Sequence, residues 1–347
     1  MAKKLLDKLK FDPAEAIQQD SRAKHEAIKQ KQLAKKYEQA LKDKEAAERR
    51  LEVALALKDR KPAKPIKTKP SKGQKPHATA IVIFSDWHVG ETVNPATVNG
   101  LNEYNPEIAK RRSEAVTQRA LLLIDDARNL ATVDTVVVAL LGDFITGYIH
   151  EELQQTNSLS PINEVKYAAQ LLESSMRTII DQSGAKKIQV VTCVGNHGRT
   201  TKKTQHANRN DTSYETLLYA SVEQATRDPR VQWDGGNGYV TLASVGNHRI
   251  RFTHGDSIKY QGGIGGMSIP VIKQLHNRNA SPLPADYDFF GHLHRWTPGT
   301  NWLCNGSLIG YSAFAADLGM PHQEPLQSFA LLDHERGMTR VMKLFCD

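Results

Sequence analysis

The sequence is poor in the features that place a protein outside the cytoplasm or in a membrane. It has three cysteines in 347 residues (Cys193, Cys304 and Cys346), and their odd number and wide spacing fit neither a disulfide framework nor a zinc knuckle. No apolar run approaches the roughly 20 residues that cross a bilayer, and the lysine-rich start has no apolar signal region. We therefore expect a cytoplasmic protein with no membrane partner.

Glycine and proline are both missing from residues 14–58, which are rich in Ala, Lys, Glu, Gln and Leu. This composition favours a long helix. Apolar residues such as Tyr37 and Leu41 partly follow a three-to-four spacing, but Lys44 and Glu48 interrupt the seam of a coiled coil. Three interpretations stay open: self-association through this helix, docking on a partner protein, and a solvated single helix.

Helix and strand formers are also scarce in residues 60–77, where four prolines and six lysines follow Arg60. Proline breaks helices and sheet ladders, and the lysines repel one another, so this segment is predicted to be an extended linker. The chain should therefore consist of a helical, possibly coiled-coil arm over 1–59, a linker over 60–77 and a catalytic domain over 78–347.

The positive charge is not spread over the whole chain. Residues 1–75 hold 22 Lys and Arg against 11 Asp and Glu, whereas the remainder holds 24 basic and 27 acidic residues. Such an asymmetry indicates either an arm that touches a polyanion or acidic partner, or a lysine-rich solvated helix.

Short apolar runs alternate with helical segments after residue 78. The first half predicts strands at 78–84, 135–141 and 187–194, helices at 106–130 and 161–182, and a helix from Thr212, where Thr-Ser-Tyr-Glu has capping-box spacing. The second half predicts strands at 238–245, 248–254, 286–290, 299–305, 308–312, 327–333 and 338–345. Gly246-Asn247 suits a hairpin turn. The alternation predicts an α/β fold with apolar strands covered on both faces.

Residues that can bind metals follow five of these strands, each at the carboxyl end. They are Asp86 and His88, Asp143, Asn196 and His197, His254, and His292 and His294. The carboxyl ends of strands in an open α/β sheet meet at one crevice. Alternate residues of an extended segment share a side, so each closely spaced pair can reach the same small volume.

The residue types suit a pair of divalent cations. Two ions about 3.5–4 Å apart need a bridging carboxylate, for which Asp143 is the natural candidate. Imidazole suits borderline transition metals, and the carboxamide of Asn196 adds a neutral oxygen. Neighbouring glycines allow sharp turns beside these residues.

The ordered series Asp-x-His, Gly-Asp, Gly-Asn-His, His-Gly and Gly-His-x-His resembles the calcineurin-like metallophosphoesterases over about residues 80–310. The resemblance implies a four-layer sandwich of two mixed β-sheets flanked by helices. It also implies that one ion is bound by Asp86, His88 and His294 and the other by Asn196, His254 and His292, with Asp143 between them. Mn²⁺ would be the first choice of metal, with Fe, Zn or Mg as alternatives. A hydroxide bridging the ions would attack phosphorus, while His197 stabilises the transition state or protonates the leaving oxygen.

Two family features are missing from this sequence. Gly198 stands where the family has Asp or Glu to orient the catalytic histidine, so His197 needs another acceptor. Phe-Ile-Thr-Gly-Tyr follows Asp143 where the protein Ser/Thr phosphatases have a second acidic residue and an arginine. The second absence argues against a protein phosphatase.

The segment after His197 carries basic residues that could hold phosphate groups: Arg199, Lys202, Lys203 and Arg209, beside Asn196. Together with the basic arm they favour a DNA-cleaving nuclease, closest in character to the repair-exonuclease branch of the family. One alternative is a small-molecule phosphodiesterase or nucleotide phosphatase. Another is an interaction protein that docks through its helix and has secondary esterase activity.

Overall fold

In a computed structural model, the structure describes residues 13–58, 61, 64, 73–235, 239–259 and 266–347. The chain divides into two compact units, Met1–Lys72 and Gly73–Asp347. Most of segment 60–77 lies outside the described residues, so the extended linker stays a prediction. None of the described helices is both long enough and apolar enough to span a bilayer.

The helices in chain order are α1 (Pro13–Lys58), α2 (Pro106–Arg128), α3 (Leu153–Thr156), α4 (Pro161–Gln182), α5 (Tyr214–Ala225), α6 (Ser268–Asn279) and α7 (Ala313–Asp317). The strands are β1 (His77–Phe84), β2 (Thr132–Leu140), β3 (Lys187–Thr192), β4 (Val231–Gly235), β5 (Thr241–Val245), β6 (His248–Phe252), β7 (Tyr287–Phe290), β8 (Thr297–Pro298), β9 (Trp302–Cys304), β10 (Leu326–Asp333) and β11 (Gly337–Phe345).

The long helix α1 exposes its apolar side chains together with its charges. Tyr37 and Leu41 are 71% and 42% exposed. Ion pairs one turn apart, such as Lys42 with Glu38 at 2.8 Å, each add a few tenths of a kcal/mol to the helix. The two residues that interrupt the apolar seam, Lys44 and Glu48, face each other at 3.7 Å. The predicted helix is confirmed, and its association with a copy or partner stays a prediction.

The second unit contains two mixed sheets. The first has the order β11-β10-β1-β2-β3-β4, with β1 to β4 parallel and β10 antiparallel to both of its neighbours. The second has the order β5-β6-β7-β9-β8, in which β6, β7 and β9 are parallel. The predicted hairpin at Gly246-Asn247 joins β5 to β6.

Alternation along β1 shows how the layers form. Val82 and Phe84 pack into a core with the apolar side of helices α2 and α4, whereas Ile81 and Ile83 face the second sheet. A third cluster joins the far side of the second sheet to α6. All four of these β1 side chains are fully buried, as expected for strands covered on both faces. The predicted sandwich of two mixed sheets flanked by helices is confirmed.

Four local features differ from the predictions. Residues 308–312 form no strand, because the chain bends there and Leu308 donates its N–H to the carbonyl of Asp86. Strand β4 was missed, and the strand predicted at 299–305 is only the short β9. Helix α5 is capped by Ser213 rather than by a box starting at Thr212, because the Glu215 carboxylate turns away from its own helix.

Candidate metal centre

The predicted ligands meet at one edge of the sandwich, on loops that follow β1, β2, β3, β6 and β7. Three sets of side chains each bring their ligand atoms within 4.8 Å of one another. These sets are Asp86, His88 and His294; His88, Asp143 and His197; and Asp143, His254 and His292. The first and third sets share no residue, and the second set connects them. This arrangement could hold more than one cation.

Close nitrogen and oxygen pairs define the two ends of the cluster. At one end His294 Nε2 lies 3.3 Å from Asp86 Oδ1 and 3.2 Å from His88 Nε2. At the other, His254 Nε2 lies 2.9 Å from Asp143 Oδ2 and 3.0 Å from Asn196 Oδ1. His292 joins the second end through ring contact with His254 at a centroid distance of 5.1 Å. Asn196, which the three sets leave out, is therefore also brought to the cluster.

The backbone at these residues is strained. Among the described residues, six that are not glycine have a positive φ, and five of them are predicted ligands: Asp86, His88, Asp143, His292 and His294. Left-handed backbone is uncommon outside glycine, although Asp and His tolerate it better than most residues. Strain of this kind, about 1–3 kcal/mol per residue, concentrates at functional sites.

Backbone carbonyls fix two of the imidazole rings. His254 Nδ1 lies 2.7 Å from the carbonyl oxygen of Leu141, and His197 Nδ1 lies 2.8 Å from that of Thr146. A carbonyl only accepts, so Nδ1 carries the proton in both rings. The Nε2 atom of His254 is thereby left as a metal ligand, and Thr146 is the acceptor that His197 needs in place of an acidic residue at position 198.

The electrostatics of the cluster are those of a cation site. Burial acts to raise the pKa of Asp143, but nearby His254 and His197 hold it well below its usual range. Burial acts to lower the pKa of His254, yet the charge and hydrogen bond of Asp143 raise it well above normal. The proton of His254 thus occupies the position that a cation would take, and metal binding would displace it.

At the other end Asp86 and His294 repeat this balance, since burial opposes both shifts, yet His294 lowers the pKa of Asp86 and Asp86 raises the pKa of His294. His88 differs from them. Burial lowers the pKa of His88 well below normal, reinforced by the charges of His197 and His294, so His88 is neutral and its nitrogens can bind a metal. Its Nδ1 is buried without a hydrogen-bond partner among the described residues. Imidazole nitrogens, carboxylates and one amide oxygen suit borderline divalent metals. The residues present therefore fit divalent cations.

Besides Asn196, Arg199 is the predicted phosphate-binding side chain that lies beside the cluster. Arg199 donates from Nη1 to the carbonyl of Asn196 at 2.8 Å, and the charge of Asp143 acts on its guanidinium. Lys202 and Lys203 are exposed on the loop that follows. Arg209 does not face outward, because its guanidinium is buried against the Asp256 carboxylate at 2.9 and 3.1 Å.

Two buried carboxylates beneath the cluster were missed in the sequence. Glu215 accepts from the N–H groups of Phe144 at 2.7 Å and Gly195 at 2.6 Å, so it holds the loop of Asp143 against that of Asn196. A Cβ at Gly198 would lie 2.7 Å from Glu215 Cγ, which explains the glycine at this position. Glu164 supports the loop of Thr146 in a similar way.

Comparison with known proteins adds little to this geometry. No protein-family model and no curated protein sequence matches the chain. A crystal structure of Vps29 from Chaetomium thermophilum aligns with 13% identity over 76% of this chain and 96% of that one, at a TM-score of 0.32. A putative 5′-nucleotidase from Staphylococcus aureus in complex with alpha-ketoglutarate aligns with 10% identity over 78% of this chain and 55% of that one, at a TM-score of 0.31. Similarity this low carries no functional argument.

Proposed function

We propose that this protein is a two-metal phosphoesterase that hydrolyses phosphodiester bonds of DNA. The observation that carries the hydrolase part is the convergence of seven nitrogen and oxygen ligands from five loops, with His197 beside them. The ligand sets are Asp86, His88 and His294 for one ion and Asn196, His254 and His292 for the other, with Asp143 between them. Mn²⁺ is the first candidate metal.

Divalent ions at this site would activate a nucleophile and stabilise charge on the phosphoryl oxygens. The chain's own contribution is to position groups around the phosphate. The Nδ1 proton of His197 is held by the carbonyl of Thr146. The ring of His197 lies beside the cluster, with its centroid 4.7 Å from that of the His88 ring. When its Nε2 also carries a proton, it would stabilise the transition state or pass that proton to the leaving oxygen. Arg199 would contact a nonbridging oxygen of the substrate.

A substrate panel tests the reaction and the polymer together. We expect cleavage of single- or double-stranded DNA with Mn²⁺, and loss of cleavage with a chelator or in His88→Ala. Hydrolysis of a chromogenic phosphodiester with DNA left intact would overturn the DNA part and support a small-molecule phosphodiesterase, which the slight acidic balance outside residues 1–75 favours. If the protein hydrolyses neither substrate in the presence of metal, both the hydrolase part and the DNA part of the proposal are overturned.

The loop lysines supply a sharper test of DNA as substrate. Lys202 and Lys203 are exposed close to His197 in the chain, so replacing both with alanine should raise KM for DNA severalfold. The slope of DNA affinity against salt concentration should also fall, by the amount expected for the loss of about two phosphate contacts. Hydrolysis of the small diester should not change. Lys187→Ala is the matched control, because Lys187 is exposed at the amino end of β3, the end opposite the cluster.

The basic arm is the second support for DNA. Deleting residues 1–72 should weaken DNA binding and flatten its salt dependence while hydrolysis of a small diester continues. Conversion of an oligomer to a monomer at unchanged DNA affinity would instead identify the arm as an assembly helix. Sedimentation of the full-length and truncated proteins measures their oligomeric state, and fluorescence anisotropy measures their DNA affinity, so the two methods together distinguish these outcomes.

A further inference from the structure

The side chain of Glu164 is fully buried on the first turns of α4, although it belongs to none of the metal-ligand sets. Its Oε2 accepts from the N–H groups of Thr146 at 2.9 Å and Gly147 at 2.8 Å. Its Oε1 accepts from Asn157 Nδ2 at 2.9 Å. A Cβ at Gly90 would collide with this carboxylate, so the loop after β1 also leaves room for it.

The hydrogen bond to Gly147 bears directly on His197. The N–H of Gly147 and the carbonyl of Thr146 belong to one peptide group, which is planar and trans, so fixing the N–H fixes the opposite direction of the carbonyl. That carbonyl accepts the Nδ1 proton of His197 at 2.8 Å. Hydrogen bonds linked in this way also polarise one another. The carboxylate of Glu164 therefore reaches the imidazole through one peptide group.

We propose that Glu164 is the positioning residue of His197, and that it takes the part of the acidic residue missing at position 198. The proposal rests on the proposed function, in which His197 faces the substrate. Glu164 does not touch the reacting atoms. It sets the tautomer and angle of the imidazole, whereas Glu215 holds the loops of Asp143 and Asn196.

Two substitutions at Glu164 separate positioning from packing. Glu164→Gln retains one oxygen for the two loop N–H groups, whereas Glu164→Met fills a similar volume without an acceptor. We expect Glu164→Met to lower kcat for a chromogenic phosphodiester at least about tenfold with KM within about twofold, and Glu164→Gln to lower it far less. Affinity for Mn²⁺, measured by calorimetry, should not change. Glu173→Gln is the control, because Glu173 lies on the same helix and pairs with Arg177 at the surface.

A second readout is independent of activity. Long-range ¹H–¹⁵N correlation of the imidazoles, with His197 assigned from His197→Gln, reports which ring nitrogen carries the proton. The wild type should show the Nδ1-protonated form, and Glu164→Met a mixture of both tautomers. A folded Glu164→Met with the wild-type tautomer and kcat would overturn the proposal. If the wild type hydrolyses no phosphoester, the proposed function fails, and the tautomer still decides whether Glu164 positions His197.

Asn157→Ala keeps the proposal testable if Glu164→Met does not fold. Asn157 donates both to Glu164 Oε1 and, at 3.1 Å, to the carbonyl of Gly147, so its loss should loosen the same loop. We expect a smaller fall in kcat, about threefold, with the same mixing of His197 tautomers. An unchanged tautomer and an unchanged kcat in this variant would overturn the proposal.

Discussion

Gly198→Asp would place an acidic residue directly after Gly-Asn-His, and we expect it to damage this protein. A Cβ at position 198 would lie 2.7 Å from Glu215 Cγ and 2.9 Å from Ser213 Oγ. Overpacking of this kind costs about 1–3 kcal/mol. A second carboxylate about 4 Å from that of Glu215 adds repulsion of up to about 4 kcal/mol at an effective dielectric constant near 20.

The expected destabilisation is therefore about 1–7 kcal/mol, or a fall in Tm of roughly 2 °C or more. Tryptophan fluorescence during urea unfolding measures it cleanly, because all four tryptophans lie in Gly73–Asp347 and none in the arm. Gly198→Ala should lose about 1–3 kcal/mol, the overpacking part alone. Gly235→Ala is its control, because a Cβ there meets only Thr192 Oγ1, at 3.2 Å.

The double variant Gly198→Asp with Glu215→Ala tests the cause. Removing the Glu215 side chain opens the space, and the new aspartate can accept from the loop N–H groups that Glu215 served. The two changes should couple by at least about 1 kcal/mol in a double-mutant cycle. Additive effects, or a Gly198→Asp variant as stable as the wild type, would refute the packing argument.

Three further predictions concern the same unit. Asp143→Asn should abolish Mn²⁺ binding, measured by calorimetry, because Asp143 is proposed to contact both ions. A variant that binds Mn²⁺ with wild-type affinity would contradict this bridging role. Arg209→Met should lower the unfolding free energy by about 3 kcal/mol because it leaves the carboxylate of Asp256, only 14% exposed, without its cation, whereas Arg177→Met at an exposed pair should lower it by less than about 1. Burial raises the pKa of Glu164 from 4.5 to about 7, against the hydrogen bonds it accepts. Its stabilising contribution is therefore full below pH 4.5 and falls by about 3 kcal/mol as pH rises through 7, a loss that urea unfolding of Glu164→Gln should lack.

The sequence was sufficient to predict which side chains meet in the cluster because their signal is local. Asp86 and His88 end an apolar β-branched run, and Asp143 ends another, so residue type and strand end coincide within a few positions. The parallel strands then bring those ends together without further information. The same local logic failed at Leu308 and Ile309, whose buried apolar side chains resemble a strand although the chain bends around the cluster there.

The supporting residues could not be predicted in this way. Glu164 and Glu215 lie in the first turns of helices, where acidic side chains are common because they suit the positive end of the helix dipole. Nothing nearby in the sequence indicates that each one meets a loop that follows β2. Thr146 acts through its backbone carbonyl, which every residue type has, so only the folded chain identifies it as the acceptor of His197.

The candidate ligands are divided between the two sheets. Asp86, His88, Asp143 and Asn196 follow strands of the first sheet, whereas His254, His292 and His294 follow strands of the second. Cations bound among them would connect the two sheets at one edge. At a hundredfold excess over its dissociation constant, a ligand of the folded state adds about 2.7 kcal/mol to stability. The melting temperature of this protein would then report how much metal its surroundings supply, whatever substrate it cleaves.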